Sequence, residues 1–300
     1  MKILKSLLNN LRNNPLSSIP YLLVAGFFVF LWFSPRSDLW DFSRSVLEKQ
    51  TAIISNPFEN IKLEARTAYV FDVVKNQPIF ELNSEAQLAL ASLTKIMTAL
   101  AAKESFPSSL LVTISKEAVL QEGDEGFIVG KEWPVLDLID AMLLSSSNDA
   151  AFALASEFNK DFNEDFVSLI NKKAKELGLA QTYFLNATGL DLSEDVSGAY
   201  GSAKDISQLL LYAVKNHPSL METTRSNIAS INARKFKNTN QIINELPGFM
   251  AGKTGFSDLA GGNLAIMIDK GFGQPFIIVV LGSTYDGRFT DVKTLYNLIP

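Results

Sequence analysis

The chain alternates between two rhythms of apolar positions. Ala68-Tyr69-Val70-Phe71-Asp72 and Pro78-Ile79-Phe80-Glu81-Leu82 follow the two-residue rhythm of strands, with Lys75-Asn76-Gln77 as the turn between them. Leu93, Ile96, Met97 and Leu100 recur at three- and four-residue steps, which predicts a helix with one buried stripe and Ser92 at its N-cap. Leu110 to Ile114 reads as a short strand. Helical spacing returns from Pro134, suited to a first turn, to Leu144 and stops at Ser145-Ser146-Ser147-Asn148-Asp149. A second helix starts at once with Ala150. A third is predicted over about 162–177, ending at Gly178, and a fourth over 205–214, capped near Ser202. Extended patterns close the chain at Ala251–Phe256, Gly262–Ile268 and Pro275–Leu281, the last apolar enough to be buried on both faces, before a final helix over about 290–298.

Ahead of this pattern lies a stretch of another kind. Residues 1–15 carry Lys2, Lys5 and Arg12 and no acid, and Leu16 to Phe33 is almost wholly apolar. Eighteen helical residues at about 1.5 Å each nearly span a bilayer core of about 30 Å. Leu31-Trp32-Phe33-Ser34-Pro35 lacks the small residues of a signal cleavage site, so a retained anchor is expected, with the basic flank in the cytoplasm. The predicted organisation is a cytoplasmic tail (1–15), a transmembrane signal anchor (16–34), a stalk (35–60) and an extracytoplasmic domain (61–300). Nothing after the last helix suggests a further C-terminal domain.

Composition narrows the chemistry. With 47% apolar residues the chain can bury a full core, and a net charge of −5 without a basic stripe argues against a nucleic-acid partner. The absence of cysteine excludes a thiol nucleophile, disulfides and thiolate zinc sites. One histidine, His217, makes a Ser-His-Asp triad a poor fit and a multi-histidine metal site impossible. Asp191, Glu194 and Asp195 lack the ordered spacing of a calcium loop and read as a solvated turn, and the acidic, glycine-containing loop at 121–125 reads as solvated rather than metal-binding.

A serine nucleophile would then need another base. Lys95 follows Ser92 by three residues, about one helical turn, which places an amine beside a hydroxyl. A capped core helix with a surface lysine would show the same residues. Ser146 and Asn148 sit in a polar knot between two apolar helices, where capping is also a sufficient reason for them. Lys253-Thr254-Gly255 on a late strand offers a cation and a hydroxyl on the same side only if the strand twists or bulges, and Gly255 permits close approach of another backbone.

Taken in this order, Ser-x-x-Lys, Ser-x-Asn and Lys-Thr-Gly form the set found in penicillin-binding proteins and serine β-lactamases. Over about residues 60–300 the chain resembles the low-molecular-mass penicillin-binding proteins, the serine D-alanyl-D-alanine carboxypeptidases of peptidase family S11. Ala91 to Thr98, Ser146 to Ala150, Asn186 to Asp191 and Lys253 to Gly261 carry the likeness. The resemblance implies an α/β fold of the β-lactamase/transpeptidase type, an αβα sandwich with a mainly antiparallel sheet, a helical lobe from about 115 to 220 and the site between them. It implies catalysis by Ser92, Lys95 and Ser146: acylation at Ser92, proton uptake by a Lys95 made less basic by burial and by Lys253, and proton delivery through Ser146. Asn148 would orient substrate and Lys95. The backbone N–H groups of Ser92 and Phe256 would form the oxyanion hole, and Thr254 and Arg288, with Lys253 adding charge, would hold the terminal carboxylate. No metal or cofactor is implied. The implied partners are peptidoglycan stem peptides, β-lactams as inhibitors and the bacterial cytoplasmic membrane through the N-terminal helix.

Three positions depart from the family pattern: Leu90 where proline is common, Ser147 where glycine is usual, and Phe256 where a more polar residue is often seen. The motifs do not separate a carboxypeptidase from a D,D-endopeptidase. A β-lactamase is disfavoured in one class by the absence of Glu-x-x-Leu-Asn between Ser146 and Lys253, and a non-catalytic wall-peptide binder would not need all the reacting groups.

Overall fold

Five strands form the sheet on which the site is built: β1 (Thr67–Asp72), β2 (Gln77–Leu82), β3 (Phe249–Ser257), β4 (Gly261–Asp269) and β5 (Pro275–Ser283). The computed structural model describes residues 57–123 and 125–300; the predicted tail, anchor and most of the stalk lie outside these. The strand order is β3-β4-β5-β1-β2, with every pair antiparallel. The N-terminal hairpin therefore docks beside the last strand, and Lys253-Thr254-Gly255 lies on an edge. Among the described residues, no helix is long and apolar enough to cross a membrane.

Alternation along the strands supplies two apolar faces. Tyr69, Ala251, Ala265, Met267, Ile277, Val279 and Leu281 join the large core, whereas Val70, Leu264, Ile266, Ile278 and Val280 have the opposite parity and are equally buried. The helices that cover the faces are drawn from α1 (Thr94–Ser105), α2 (Val135–Ser145), α3 (Asn148–Phe162), α4 (Phe166–Glu176), α5 (Ala203–Asn216) and α6 (Gly287–Leu298). α5 packs on β5, β1 and β4, and α6 packs on β5 and β4. The expected αβα arrangement is present, with one change: α5 belongs to the sheet, and the second lobe consists of α2, α3 and α4 around α1.

α1 departs from the expected single stripe. Leu93, Ile96, Met97 and Leu100 are fully buried, but so are Thr94, Lys95, Thr98, Ala99, Ala101 and Ala102. α2, α3, α4 and α5 surround it. A helix enclosed on every side has no polar face to show. The third predicted helix also splits from its first residues: Phe162 ends α3, and α4 begins at Phe166 because Asp165 caps it, accepting from Val167 and Ser168 N–H. The final helix starts three residues early, at Gly287, which places Arg288 in its first turn.

Asp140 on α2 carries a testable strain. Burial, with Asp137 and Glu222 nearby, pushes its carboxyl up to about 6, against an opposing pull from Lys103. A folded-state pKa above the unfolded value means that stability is greatest below about pH 4 and declines as pH rises through 6. Asp140→Asn is expected to stabilise the fold by about 1–2 kcal/mol at pH 7.5 and by nothing at pH 4, after allowance for partial exposure. Urea unfolding at the two pH values reads the difference, and an equal effect at both would show that ionisation is not the cause.

Candidate active site

Ser92 is held by a turn rather than by a helix cap. Ala91–Leu93 form one turn of 3-10 helix, α1 begins at Thr94, and the residue before it makes no side-chain cap. Ala91 has φ of 47°, a left-handed conformation that costs a non-glycine residue about 1–2 kcal/mol. The neighbouring chain keeps it there. Asn263 on β4 donates through Nδ2 to the carbonyls of Ala89 (3.0 Å) and Leu90 (3.1 Å), while its Oδ1 accepts from Gly282 N–H at 2.8 Å. On β3, a Cβ at Gly255 would lie 2.9 Å from the Leu90 carbonyl and 3.3 Å from the Ser92 nitrogen. Glycine at 255 thus lets the strand carrying the Phe256 amide lie against the Ser92 amide.

Lys95 is fully buried and donates to three oxygens: Ser92 Oγ at 2.8 Å, Asn148 Oδ1 at 2.7 Å and the Thr188 carbonyl at 2.7 Å. Burial lowers its pKa to about 7. A lysine so placed is about half neutral at neutral pH, and its lone pair can accept the Ser92 proton. The expected contribution of Lys253 works the other way round. Burial dominates at Lys253, and the charges of Lys95 and Arg288 lower it further, well below the usual lysine range.

The second hydroxyl comes from the junction of α2 and α3. Ser146 ends α2 in the left-handed region (φ 67°, ψ 27°), and Ser147 caps α3 by accepting from Ala150 N–H at 3.1 Å. This reversal presents Ser146 Oγ to Lys253 Nζ at 2.9 Å. Asn148, one residue into α3, also donates to the Glu122 carbonyl at 2.6 Å. Pairing through Lys253-Thr254-Gly255 stays in regular register with Ala265, Leu264 and Asn263, so no bulge interrupts the motif. The long Lys253 stem instead turns its ammonium back to the Thr254 carbonyl at 3.0 Å.

The Asn186–Asp191 stretch is a clasp. Asn186 Oδ1 accepts from Thr188 N–H (3.2 Å) and Gly189 N–H (2.7 Å), and its Nδ2 donates to the Leu190 carbonyl at 2.8 Å. This loop aims the Thr188 carbonyl at Lys95.

Arg288 is buried beneath rings, with its guanidinium carbon 4.4 Å from the Tyr285 centroid, 4.7 Å from Phe289 and 6.0 Å from Phe256. Its Nη1 donates to the Gly255 carbonyl at 2.7 Å, and among the described residues its Nε has no partner. Among the described residues, no carboxylate stands within ion-pair distance of Lys95, Lys253 or Arg288. A buried Arg288 guanidinium with no carboxylate beside it is chemically suited to an anionic ligand.

These groups come together from five separate segments, and a family comparison agrees with them. Residues 51–284 match the profile of the Peptidase S11 family, described as D-alanyl-D-alanine carboxypeptidase. The chain belongs to that family. Among S11 relatives, D-alanyl-D-alanine carboxypeptidase DacF of Bacillus subtilis is 33% identical over 242 residues, which cover 78% of this chain and 61% of the relative. A D-alanyl-D-alanine endopeptidase of Escherichia coli is 28% identical over 239 residues, 76% of this chain and 74% of the relative. Penicillin-binding protein D2 of Listeria monocytogenes in its ampicillin-bound form superposes with a TM-score of 0.68 at 29% identity, covering 80% of this chain and 98% of that one.

The departures from the S11 pattern have local reasons. Leu90 N–H donates to the Ala199 carbonyl at 3.0 Å, a bond proline cannot make. Ser147 supplies the α3 cap that glycine would lack. Phe256 is 47% exposed and meets Tyr285 edge-on at 5.0 Å, forming the outer wall over Arg288. Sequence reasoning overlooked Thr239, whose Oγ1 lies 2.6 Å from Thr254 Oγ1. No spacing rule links residues 239 and 254, so only the fold reveals the contact.

Proposed function

We propose that this protein is a serine-type D-alanyl-D-alanine carboxypeptidase that removes the terminal D-alanine of peptidoglycan stem pentapeptides through an acyl-enzyme on Ser92. The observation that carries the reading is the 2.8 Å bond between Ser92 Oγ and a buried Lys95 whose pKa is about 7. Neutral Lys95 takes the Ser92 proton as Oγ bonds to the carbonyl carbon between the two D-alanines. The carbonyl oxygen becomes an oxyanion, received by the N–H groups of Ser92 and Phe256 on the two segments that Gly255 holds together. Ser146 then gives its proton to the departing nitrogen, and the proton that Lys95 took from Ser92 replaces it, so that Lys95 is neutral again. The C–N bond breaks, and D-alanine leaves. Water, deprotonated by the neutral Lys95, adds to the acyl carbon; the bond to Ser92 Oγ breaks, Lys95 returns the proton to Oγ, and the shortened peptide leaves. Thr254, Arg288 and Lys253 hold the terminal carboxylate, a role supported by the buried Arg288 guanidinium, which pairs with no carboxylate among the described residues. A β-lactam would acylate Ser92 by the same first step.

Residues 16–34 would anchor the chain in the bacterial cytoplasmic membrane with residues 61–300 outside, a reading supported by the apolar run and its basic flank.

Mass spectrometry of the full chain in detergent, with penicillin and separately with a pentapeptide ending in D-alanyl-D-alanine, tests this. The expected result is an adduct on Ser92 and release of free D-alanine, both abolished by Ser92→Ala. An endopeptidase, the name carried by the E. coli relative, would use the same residues. Cutting of cross-linked dimers without release of D-alanine would move the assignment there. Rapid loss of the adduct as hydrolysed penicillin would indicate a β-lactamase, and absence of any adduct would refute acylation at Ser92.

A further inference from the structure

The segment Asn238-Thr239-Asn240 has no part in the chemistry above, yet its backbone is held with unusual care. It follows a hairpin whose strands are Ile228–Ile231 and Arg234–Lys237. Asn238 is buried, donates through Nδ2 to the carbonyls of Thr224 (2.8 Å) and Ser226 (3.0 Å), and accepts from Asn240 N–H at 2.8 Å. Asn240, also buried, accepts from Ile242 N–H at 3.2 Å. Thr239 N–H donates to the Leu144 carbonyl at 3.2 Å, two residues before Ser146. Two buried amides and the end of α2 therefore fix one threonine, and its hydroxyl meets Thr254.

Each threonine hydroxyl has one proton to donate and can accept in return. At 2.6 Å one hydroxyl donates to the other, which leaves a single proton for a third group. A carboxylate only accepts, so it needs that proton to point outward from Thr254. We propose that Thr239 is a positioning residue for recognition of the substrate's terminal carboxylate: it donates to Thr254 Oγ1 and thereby commits the Thr254 proton to the ligand. The chain O–H···O–H···O⁻ is cooperative, because the first bond polarises the second, and the second is charge-assisted. Lys253 and Arg288 supply charge to this pocket, and the threonine pair supplies direction. The inference rests on the carboxypeptidase reading and adds to it a residue outside the three motifs.

The test is steady-state release of D-alanine from a pentapeptide by the full chain and its Thr239→Val, Thr239→Ala and Thr239→Ser variants. Loss of one hydrogen bond to a charged ligand's partner is expected to raise KM about five- to tenfold in the Val and Ala variants. Turnover at saturation should stay within about twofold, because the reacting atoms are untouched. Thr239→Ser, which keeps the hydroxyl, should restore KM. Agreement between Val and Ala separates the hydroxyl from side-chain volume. An unchanged KM in both, a fall in kcat at constant KM, or a serine variant no better than alanine would each overturn the positioning role while leaving the carboxypeptidase reading intact. A wild-type chain that takes a penicillin adduct yet releases no D-alanine would overturn that reading and this role with it.

Discussion

Lys95→Met is expected to slow acylation of Ser92 by penicillin about 10²–10⁴-fold, the range associated with a positioned general base. Methionine nearly matches the length of the lysine stem, so the surrounding α1 core need not collapse. What it removes is the amine bonded to Ser92 Oγ and, with it, the tie to Asn148 and Thr188. The wild-type rate carries a linked signature. The reactive form is neutral Lys95, and burial brings its pKa down to about 7. Acylation should therefore rise with pH, by about tenfold per unit well below 7, and level off above about 8. Timed quenching of a fluorescent penicillin adduct between pH 5 and 9 measures both effects. A flat profile, or a methionine variant acylating at the wild-type rate, would remove Lys95 from the role of base.

Gly189→Ala should be the most damaging single methyl addition near the site. Gly189 has φ of +80°, and a Cβ there would overlap the Ala91 carbonyl and crowd Thr94 Oγ1 at 2.8 Å. Left-handed strain of about 1–2 kcal/mol and overpacking of about 1–3 kcal/mol lead to an expected loss of about 2–4 kcal/mol. The same methyl would push the Ala91–Leu93 turn away from the Asn186 clasp and separate Thr188 from Lys95, so acylation should fall with stability. Urea unfolding together with adduct formation reads both. Near wild-type stability with full acylation would show that the loop yields without moving the turn.

Much of this protein is readable from local patterns, because each depends on neighbours in the chain. The β1–β2 hairpin follows from alternation, the strand β5 from its continuous apolar run, and caps such as Ser202, which accepts from Asp205 N–H at 3.1 Å, from residue type. The Ser-x-x-Lys, Ser-x-Asn and Lys-Thr-Gly motifs were legible for a similar reason: each is a short unit whose side chains are placed by one turn or one strand. The misread elements depend on what lies across from them. Ser92 looks like a helix cap in one dimension, but Asn263 and Gly255, more than 160 positions away, hold its backbone in a 3-10 turn. α1 looks amphipathic by spacing and is enclosed by four helices, which no period in its own residues specifies.

The chemistry divides along the same line. That two serines, two lysines, an asparagine, a threonine and an arginine are the groups the proposed reaction would use is written in residue identity, because functional groups are covalent properties of the chain. Which lysine touches which hydroxyl is not. Lys95 bonds to Ser92 and Asn148, and Lys253 bonds to Ser146, only because the edge strand β3, the turn before α1 and the α2–α3 junction meet. The pKa of about 7 at Lys95 arises from that enclosure, since desolvation depends on every atom nearby. Thr239 marks the limit most clearly. Its pairing with Thr254 leaves no trace in spacing, because a contact between two loosely related segments is set by the path of the whole chain between them.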